Sequence, residues 1–384
     1  MNASLNEKLR TVKWGEYKLC DLFTSQNGDF DIKKIHINGK GEYVITAGLS
    51  NNGVLGKSDV NAKIFKKNTI TVDMFGNAFY RQFDYKMVTH ARVFSLEANY
   101  NITERQGLFL ANSFCYLSNE FGFDNMCSWE KIKTKPIQLP YKNGKIDFDF
   151  MESFVAELEA ERVAELSAYL KVSGFDNYEL SVEELNALQR FDELGDDNWG
   201  TYNVGNLFEK VATKKLPYKA KELPKQPIDG YVLPCLTSSF QNQGLNYYAP
   251  KAGATVISNV ISLPSNSDVY RAYYQSRDFT VLSDSYAIQW KLADNKPTPN
   301  QYLFMVMCIN KVTDLPIYSY KNKLGGWNVV QHKEIRLPVN DGKIDFVFME
   351  TFISAIKKLV IKDVVKYSNT KIAATKTVVS DNNF

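Results

Sequence analysis

The segment IQLPYKNGKIDFDFMESF at residues 137–154 returns as IRLPVNDGKIDFVFMETF at residues 335–352. Twelve of the 18 aligned positions are identical, and the two copies are offset by 198 residues. A match of this length inside one chain indicates a duplication, which constrains the fold more strongly than any local pattern. The 384 residues therefore contain one structural unit written twice.

The opening of the unit is also repeated, as WGEY at residues 14–17 and WGTY at residues 199–202. This offset is 185 residues, so the second copy contains 13 more residues between its opening and its closing. The centres align only faintly: residues 68–72 match 259–263, residues 79–81 match 269–271, and residues 128–129 match 326–327. Constant ends around a variable centre are expected when a scaffold is kept while a recognition surface changes.

Two kinds of segment alternate along the chain. Residues 14–140 and 199–338 contain short apolar runs interrupted by turn residues, which predicts β-rich domains that also hold helices at 104–118 and 299–311. Residues 145–195 lack proline, are rich in helix formers, and contain Ser181 and Glu184 at the spacing of a capping box. We therefore predict an α+β protein in which two pseudo-twofold related α/β domains are separated by antiparallel helices. The predicted boundaries are 1–142 for the first domain, 143–197 for a central helical spacer, 198–340 for the second domain and 341–384 for a C-terminal helical spacer.

Apolar residues recur at helical spacing in both helical segments. The two segments would pair as a short antiparallel coiled coil and would offer apolar positions to partner proteins. The alternative is that each helix packs only on its own β-rich domain. The positions predicted to contact a partner are Met151, Val155, Leu158, Leu166, Phe352 and Ile356.

Charge is distributed unevenly, although the net charge of the chain is only +3. Residues 145–198 contain 4 basic and 15 acidic residues, a net of −11, whereas residues 1–144 carry +5 and residues 199–342 carry +6. Basic domains suit a polyanion such as DNA, and an acidic helix suits a spacer or a protein partner. An ordinary solvated helix face would explain the acidic segment equally well.

Polar side chains near the predicted strands are candidates for contact with a nucleic acid. Arginine can pair with guanine or with phosphate, asparagine can pair with adenine, and polar loops on rigid scaffolds often carry recognition. A surface ion pair or a plain connecting loop would explain the same residues. The predicted contact residues are Asn77, Tyr80 and Arg81, their assumed counterparts Asp268, Tyr270 and Arg271, and Ser239, Gln241, Asn242 and Lys323.

Several classes of protein are disfavoured by what the sequence lacks. The N-terminus has no apolar region typical of a signal peptide, and no apolar run is long enough for a membrane helix, so we expect a cytoplasmic protein. The five cysteines and three histidines are too scattered to suggest disulfides or a metal site. The chain has no Pro-Pro dipeptide, no phosphate-binding loop and no nucleophile elbow, so we expect no catalytic residue and no cofactor.

The repeated openings and closings give the chain a resemblance to a known family. The order of domain, helix, domain and helix is similar to that of the specificity (S) subunits of Type I restriction–modification enzymes and of related Type IIB recognition subunits. The second closing departs from the first, because IKDVVKYSNTKIAATKTVV at residues 361–379 lacks its glutamate-rich face.

The resemblance implies a function without catalysis. Each domain would read one half of a bipartite DNA site, and the helices would set the spacing and dock methyltransferase subunits. Cleavage and adenine methylation would belong to partner subunits, including a restriction and translocation subunit in a Type I complex. Those partners would use S-adenosylmethionine, ATP and Mg²⁺. A tandem binding module for RNA or a glycan, and an enzyme with an unrecognised site, are the alternatives.

Overall fold

A computed structural model describes residues 3–292 and 296–381, with side chains described as far as Ala374 in the last helix. The chain divides into two compact units, which we call unit 1 (Met1–Tyr169 and Tyr367–Phe384) and unit 2 (Leu170–Lys366). Both long helices cross this division, since one spans Phe148–Val172 and the other Phe346–Asp381. Each of the two predicted helical spacers therefore belongs partly to unit 1 and partly to unit 2.

The described part of unit 1 contains the following strands and helices. The strands are β1 (Trp14–Lys18), β2 (Phe23–Asn27), β3 (Glu42–Ile45), β4 (Val54–Ser58), β5 (Thr69–Val72), β6 (Ala78–Arg81), β7 (Tyr85–Met87), β8 (Phe94–Ala98), β9 (Pro136–Lys142) and β10 (Lys145–Ile146). The helices are α1 (Ala3–Thr11), α2 (Leu19–Leu22), α3 (Glu104–Ser113), α4 (Trp129–Ile132) and α5 (Phe148–Val172). The helix predicted at 104–118 is shorter than expected, because a 3₁₀ segment takes over at Cys115–Asn119.

Unit 2 repeats this order of elements. Its helices are α6 (Val182–Glu193), α7 (Val204–Leu207), α8 (Pro299–Thr313), α9 (Trp327–Val330) and α10 (Phe346–Asp381), the last of which ends in unit 1. Its strands are β11 (Trp199–Asn203), β12 (Phe208–Lys210), β13 (Leu233–Leu236), β14 (Leu245–Ala249), β15 (Val260–Pro264), β16 (Tyr273–Gln275), β17 (Thr280–Val281), β18 (Ser285–Trp290), β19 (Glu334–Asn340) and β20 (Lys343–Ile344).

Each unit is built from three small sheets in matching order. In unit 1 the orders are β2-β8-β5-β6, β4-β3-β7 and β1-β9-β10, and in unit 2 they are β12-β18-β15-β16, β14-β13-β17 and β11-β19-β20. The pairings are antiparallel except β3 with β7 and β13 with β17, which are parallel. The main core of each unit lies under the four-stranded sheet and includes the start of its long helix, as shown by Met151 and Met349 at 0% exposure. The duplication inferred from the sequence is thus a duplication of an α+β fold.

The repeated KIDF sequence has a local explanation in the caps of the two long helices. The Asp147 carboxylate accepts a hydrogen bond from the Phe150 amide at 2.9 Å, and Asp345 accepts one from the Phe348 amide at 2.9 Å. A carboxylate in this position satisfies an amide that has no partner within the helix. The aspartate therefore fixes where each long helix begins.

A second repeated cap joins each domain to its long helix. Thr103 and Gln106 form a capping box at the start of α3, and Thr298 and Gln301 do so at the start of α8. The two threonine hydroxyls also donate hydrogen bonds to Glu152 of α5 and Glu350 of α10 respectively. The capping box predicted at Ser181 and Glu184 is present at the start of α6.

Candidate nucleic-acid interface

Each unit carries a turn with an unusual backbone, which we call loop 1 (residues 49–53) and loop 2 (residues 240–244). In loop 1, Asn51, Asn52 and Gly53 are all left-handed, with φ of 49°, 51° and 74°. In loop 2, the matching residues Asn242, Gln243 and Gly244 have φ of 46°, 53° and 85°. Asparagine and glycine adopt this conformation at lower cost than other residues, so the short Asn-Asn-Gly and Asn-Gln-Gly sequences allow the turn.

The same contacts hold both loops. A backbone hydrogen bond closes each turn, from the Thr46 amide to Gly53 O at 2.8 Å and from the Thr237 amide to Gly244 O at 2.9 Å. The side-chain amide of the first left-handed asparagine then caps the strand that follows, by donating to Val54 O in loop 1 and to Leu245 O in loop 2. Each loop therefore has a defined shape that does not depend on its tip residues.

The tips of the loops are exposed and differ in chemistry. Leu49 is 70% exposed in loop 1, and Phe240 is 49% exposed in loop 2. The next residue is Ser50 in one loop and Gln241 in the other, both exposed. A shared backbone with unlike tips is the arrangement expected when two sites read different sequences. The polar sequences of residues 49–53 and 238–244 already indicate both loops as candidates for recognition, and Gln241 and Asn242 are among the predicted contact residues, whereas the tip residues Leu49 and Phe240 are not.

Arg81, which was predicted to contact the nucleic acid, is buried in the structure. Its side chain is only 2% exposed, and its Nε donates a hydrogen bond to Thr71 Oγ1 at 2.9 Å inside unit 1. Burial lowers the pKa of its guanidinium to about 10, and the nearby Tyr85 and Asp73 raise that pKa by a smaller amount. A side chain so placed supports the sheet beneath loop 1, and it also lines the groove between loop 1 and β6.

The predicted match of residues 79–81 with residues 269–271 is wrong, whereas the match of 68–72 with 259–263 agrees with the strand pairing. In β5 and β6, Ile70 pairs with Tyr80, and in β15 and β16, Ile261 pairs with Tyr274. The counterpart of Tyr80 is therefore Tyr274 and not Tyr270; both donate to an asparagine, Tyr80 to Asn68 at 2.9 Å and Tyr274 to Asn259 at 2.8 Å. The β15–β16 hairpin of unit 2 is three residues longer than the β5–β6 hairpin of unit 1. The sequence match of Tyr80 with Tyr270 therefore does not follow the strand pairing.

By the same register, the counterpart of Arg81 is Gln275. The Gln275 amide donates to Ser262 Oγ at 3.0 Å, as Arg81 does to Thr71, and also to Gln243 O of loop 2 at 3.2 Å. Both units therefore place a buried polar side chain under the loop. Arg271 has a different role, because it is half-exposed and pairs with Asp314 at 2.6 Å.

The remaining predicted contact residues fall into two groups. Asn77 donates to Asp73 within its own turn, Tyr80 is buried, and Tyr270 is 1% exposed, so these side chains are part of the scaffold. The exposed residues are Gln241, Asn242, Asp268, Arg271 and Lys323, and Ser239 is half-buried. Asp268 accepts a hydrogen bond from the Tyr320 amide, and Lys323 Nζ lies 5.1 Å from the centroid of the Tyr320 ring.

A groove of about 760 Å³ in unit 1 runs from loop 1 to the face of β6. Its walls include Tyr43, Asn51, Asn52 and Phe79. Lys57 Nζ lies 4.5 Å from the centroid of the Tyr43 ring, which brings a positive charge to this wall. The segments that carry the loops are basic: residues 28–67 contain 7 lysines and 4 acidic residues, and residues 210–258 contain 7 lysines and 2 acidic residues. Such a balance favours a polyanionic ligand.

The apolar helix positions predicted to contact a partner also need correction. Met151, Val155 and Phe352 are buried in the core of their own unit, and Leu158 and Ile356 pack against that core. The alternative raised from the sequence, that each helix packs on its own domain, holds for these five residues. Leu166 is half-buried and lines a cavity of unit 1, which Val155 and Leu158 also line.

Over residues 3–292 and 296–381, the fold offers no cluster of His, Cys, Asp and Glu able to hold a metal ion. Among the same residues, none of the helices has the length and apolarity required to span a membrane.

Comparisons with known proteins agree with this geometry. Residues 11–168 match the Type I restriction modification DNA specificity domain. Over 356 residues the chain is 22% identical to the specificity subunit S.BcgI of the Type II restriction enzyme BgcI from Heyndrickxia coagulans, covering 91% of this chain and 96% of that protein. The fold is similar to that of the S subunit of a Type I restriction–modification system from M. genitalium, with a TM-score of 0.53 and 13% identity over 97% of this chain and 95% of that one. The resemblance seen in the sequence is confirmed: residues 11–168 match the DNA specificity domain of Type I restriction–modification systems, and over most of its length the chain is similar to a restriction enzyme specificity subunit.

Proposed function

We propose that each unit reads one half of a bipartite DNA site, with loop 1 and loop 2 as the reading elements. The observation that carries this proposal is the repeated left-handed turn, which has one backbone in both units and different residues at its tip. Apolar tips can contact thymine methyl groups, and amide side chains can pair with base edges. The surrounding lysines would hold the phosphate backbone.

The long helices would set the distance between the two half-sites and would dock methyltransferase subunits. The net charge of −11 on residues 145–198 supports this role, because such a segment is repelled by DNA and is suited to a protein partner. Under this proposal the chain performs no chemistry. The partner subunits bind S-adenosylmethionine and flip the target adenine, and a Type I complex adds ATP and Mg²⁺ in its translocating subunit.

Methylome mapping by long-read sequencing, with and without this chain, tests the proposal. Cells that carry the partner methyltransferase should methylate one split sequence, and should lose that methylation when the chain is absent. A methylome that does not change on removal of the chain contradicts the function.

The role of the loops is tested by exchanging their tips. Leu49→Phe with Ser50→Gln places the tip of loop 2 on loop 1, and Phe240→Leu with Gln241→Ser does the reverse. Each exchange should change the methylated bases in one half-site and leave the other half-site intact. Val172→Ala is the control, since Val172 is 90% exposed on the acidic helix and should have no effect. If both half-sites stay unchanged in both exchanges, the loops do not read the DNA sequence. That result would leave the proposed role as a specificity subunit untouched.

A further inference from the structure

Each unit carries a second exposed turn, which we call turn 1 (residues 122–125) and turn 2 (residues 319–322). A backbone hydrogen bond from the amide of the first residue to the carbonyl of the last closes each turn, at 3.1 Å in turn 1 and 2.9 Å in turn 2. The last residue is an asparagine in both turns. Its side-chain amide donates to the carbonyl oxygen five residues earlier, at 3.2 Å from Asn125 and 2.8 Å from Asn322. The two turns are therefore held by the same hydrogen bonds, as loops 1 and 2 are.

Turn 1 is joined to loop 1 through the turn of the β5–β6 hairpin. The amide of Gly48, which directly precedes loop 1, donates to one carboxylate oxygen of Asp73 at 2.8 Å. The other carboxylate oxygen of Asp73 accepts a hydrogen bond from the Phe75 amide at 2.9 Å. Phe75 in turn contacts turn 1, because its ring centroid lies 5.0 Å from that of Phe123 in an edge-to-face arrangement. Loop 1 and turn 1 are thus held against the same hairpin.

Turn 2 is joined to loop 2 at the matching hairpin, β15–β16, by different side chains. The Ser267 hydroxyl donates a hydrogen bond at 2.8 Å to the carbonyl oxygen of Ser238, two residues before loop 2. The next residue, Asp268, accepts a hydrogen bond from the Tyr320 amide of turn 2 at 3.0 Å. In both units, therefore, a ligand that reaches the loop also lies beside the turn.

Both turns present an exposed aromatic ring. Phe123 is 74% exposed and Tyr320 is 56% exposed. Exposed aromatic side chains on a defined loop are characteristic of a contact surface. Because hydrogen bonds already close each turn, little conformational entropy is lost when its tip contacts a ligand.

The two turns differ in charge, although their backbones match. Residues 120–126 have a net charge of −2, and the corresponding residues 317–323 have a net charge of +2. The residue that follows the aromatic ring is Asp124 in turn 1 and Lys321 in turn 2, and both are exposed. Lys323 places a second positive charge 5.1 Å from the centroid of the tyrosine ring of turn 2. The two turns are therefore suited to different parts of one ligand.

We propose that turns 1 and 2 form a second DNA contact in each unit, directed at bases in unit 1 and at the phosphate backbone in unit 2. This inference rests on the proposed function, which places DNA at the adjacent loops. A carboxylate accepts a hydrogen bond from the amino group of cytosine, and a phenyl ring packs on the methyl group of thymine. Lysine and tyrosine side chains bind phosphate. Turn 1 therefore extends the sequence that unit 1 reads, whereas turn 2 adds affinity for any sequence.

The test uses the full chain in complex with its methyltransferase, and two DNA duplexes, with and without the mapped split sequence. Fluorescence anisotropy at a series of salt concentrations gives the Kd and the slope of log K against log salt. Lys321→Ala should raise the Kd several-fold on both duplexes and reduce the slope by about 1, the effect of losing one phosphate contact. Phe123→Ala should raise the Kd about tenfold on the split sequence alone and leave the slope unchanged.

A tip exchange gives a matched variant that keeps the backbone of turn 1. Phe123→Tyr with Asp124→Lys installs the tip of turn 2, so it should steepen the salt slope by about 1. Methylome mapping should then show more than one base accepted at a position of the half-site read by unit 1, and an unchanged second half-site. Ile35→Ala is the control, since Ile35 is 84% exposed in unit 1 and lies outside the loops and turns. Because every replaced side chain is exposed, the thermal midpoints should stay within a few degrees.

A wild-type Kd and salt slope in both Phe123→Ala and Lys321→Ala would overturn the inference. It would also be overturned if these variants bind DNA normally but lose the methyltransferase subunit in size-exclusion chromatography, because the turns would then be a protein interface. In either case the loop exchanges can still change the half-sites. A wild-type complex that methylates no split sequence would instead refute the proposed function itself.

Discussion

Replacing Arg81 with alanine separates a scaffold role from a role in reading DNA. The change leaves the Thr71 hydroxyl in the interior without its donor, which costs about 1–3 kcal/mol, and removes two buried methylenes worth about 0.8 kcal/mol each. Loss of a buried cation offsets part of this cost, since burial already lowers the pKa of the Arg81 guanidinium. We expect unit 1 to lose about 1–3 kcal/mol of stability.

Two matched variants sharpen this test. Arg81→Gln installs the residue that unit 2 has at Gln275, where the amide bonds to a hydroxyl, so it should cost less than about 1 kcal/mol. Arg271→Ala removes an ion pair in which the arginine is half-exposed, and exposed pairs contribute about 0–1 kcal/mol. Arg271→Ala should therefore leave stability nearly unchanged.

Hydrogen exchange of the β5 and β6 amides, together with urea unfolding, measures these effects unit by unit. DNA binding is then measured on variants shown to be folded. If Arg81→Ala keeps full stability and protection but loses DNA affinity, the buried placement of Arg81 is refuted.

Three further predictions concern the loops, helix α6 and the cysteines. Gly53→Ala should destabilise loop 1 by more than about 1 kcal/mol, because φ is +74° and the added Cβ would lie 2.7 Å from Thr46 O; Gly253→Ala, also at positive φ but with open space around it, is the control for exchange measurements. Burial alone would raise the pKa of Glu184, but its hydrogen bonds with Lys358, Ser181 and Ser354 together outweigh that effect, so the pKa lies below its ordinary value of 4.5. The stability that Glu184 contributes is therefore present above pH 4.5 and is lost as the pH falls through the lowered pKa. Glu184→Gln should abolish that acid dependence in urea midpoints, and an unchanged pH profile would count against the ion pair. Maleimide at pH 7.5 should label the exposed Cys20 and Cys115 quickly. Labelling of Cys127, Cys235 and Cys308 should be slow, because these thiols are buried and burial raises the pKa of each to about 12. Uniform labelling of all five would contradict the fold.

The ends of each unit could be predicted from the sequence because short-range chemistry fixes them. Asp147 and Asp345 cap their helices through neighbouring amides, and Ser181 with Glu184 forms a local box. Such contacts depend on residues three positions apart, which a pattern shows directly.

The centres could not be predicted in the same way because pairing across a sheet decides them. Tyr270 and Arg271 imitate Tyr80 and Arg81 in order, yet the longer hairpin of unit 2 places Tyr274 in the matching register. Arginine is seldom fully buried, so composition alone argued for an exposed Arg81.

The division of the chain has a consequence for the order in which the molecule is made. The end of α10, from Tyr367, belongs to unit 1, although the 197 residues of unit 2 separate it from Tyr169. During synthesis, unit 1 must wait for this segment until all of unit 2 has left the ribosome, and closing so long a loop is slow. The unit that is translated first is therefore the one that is finished last.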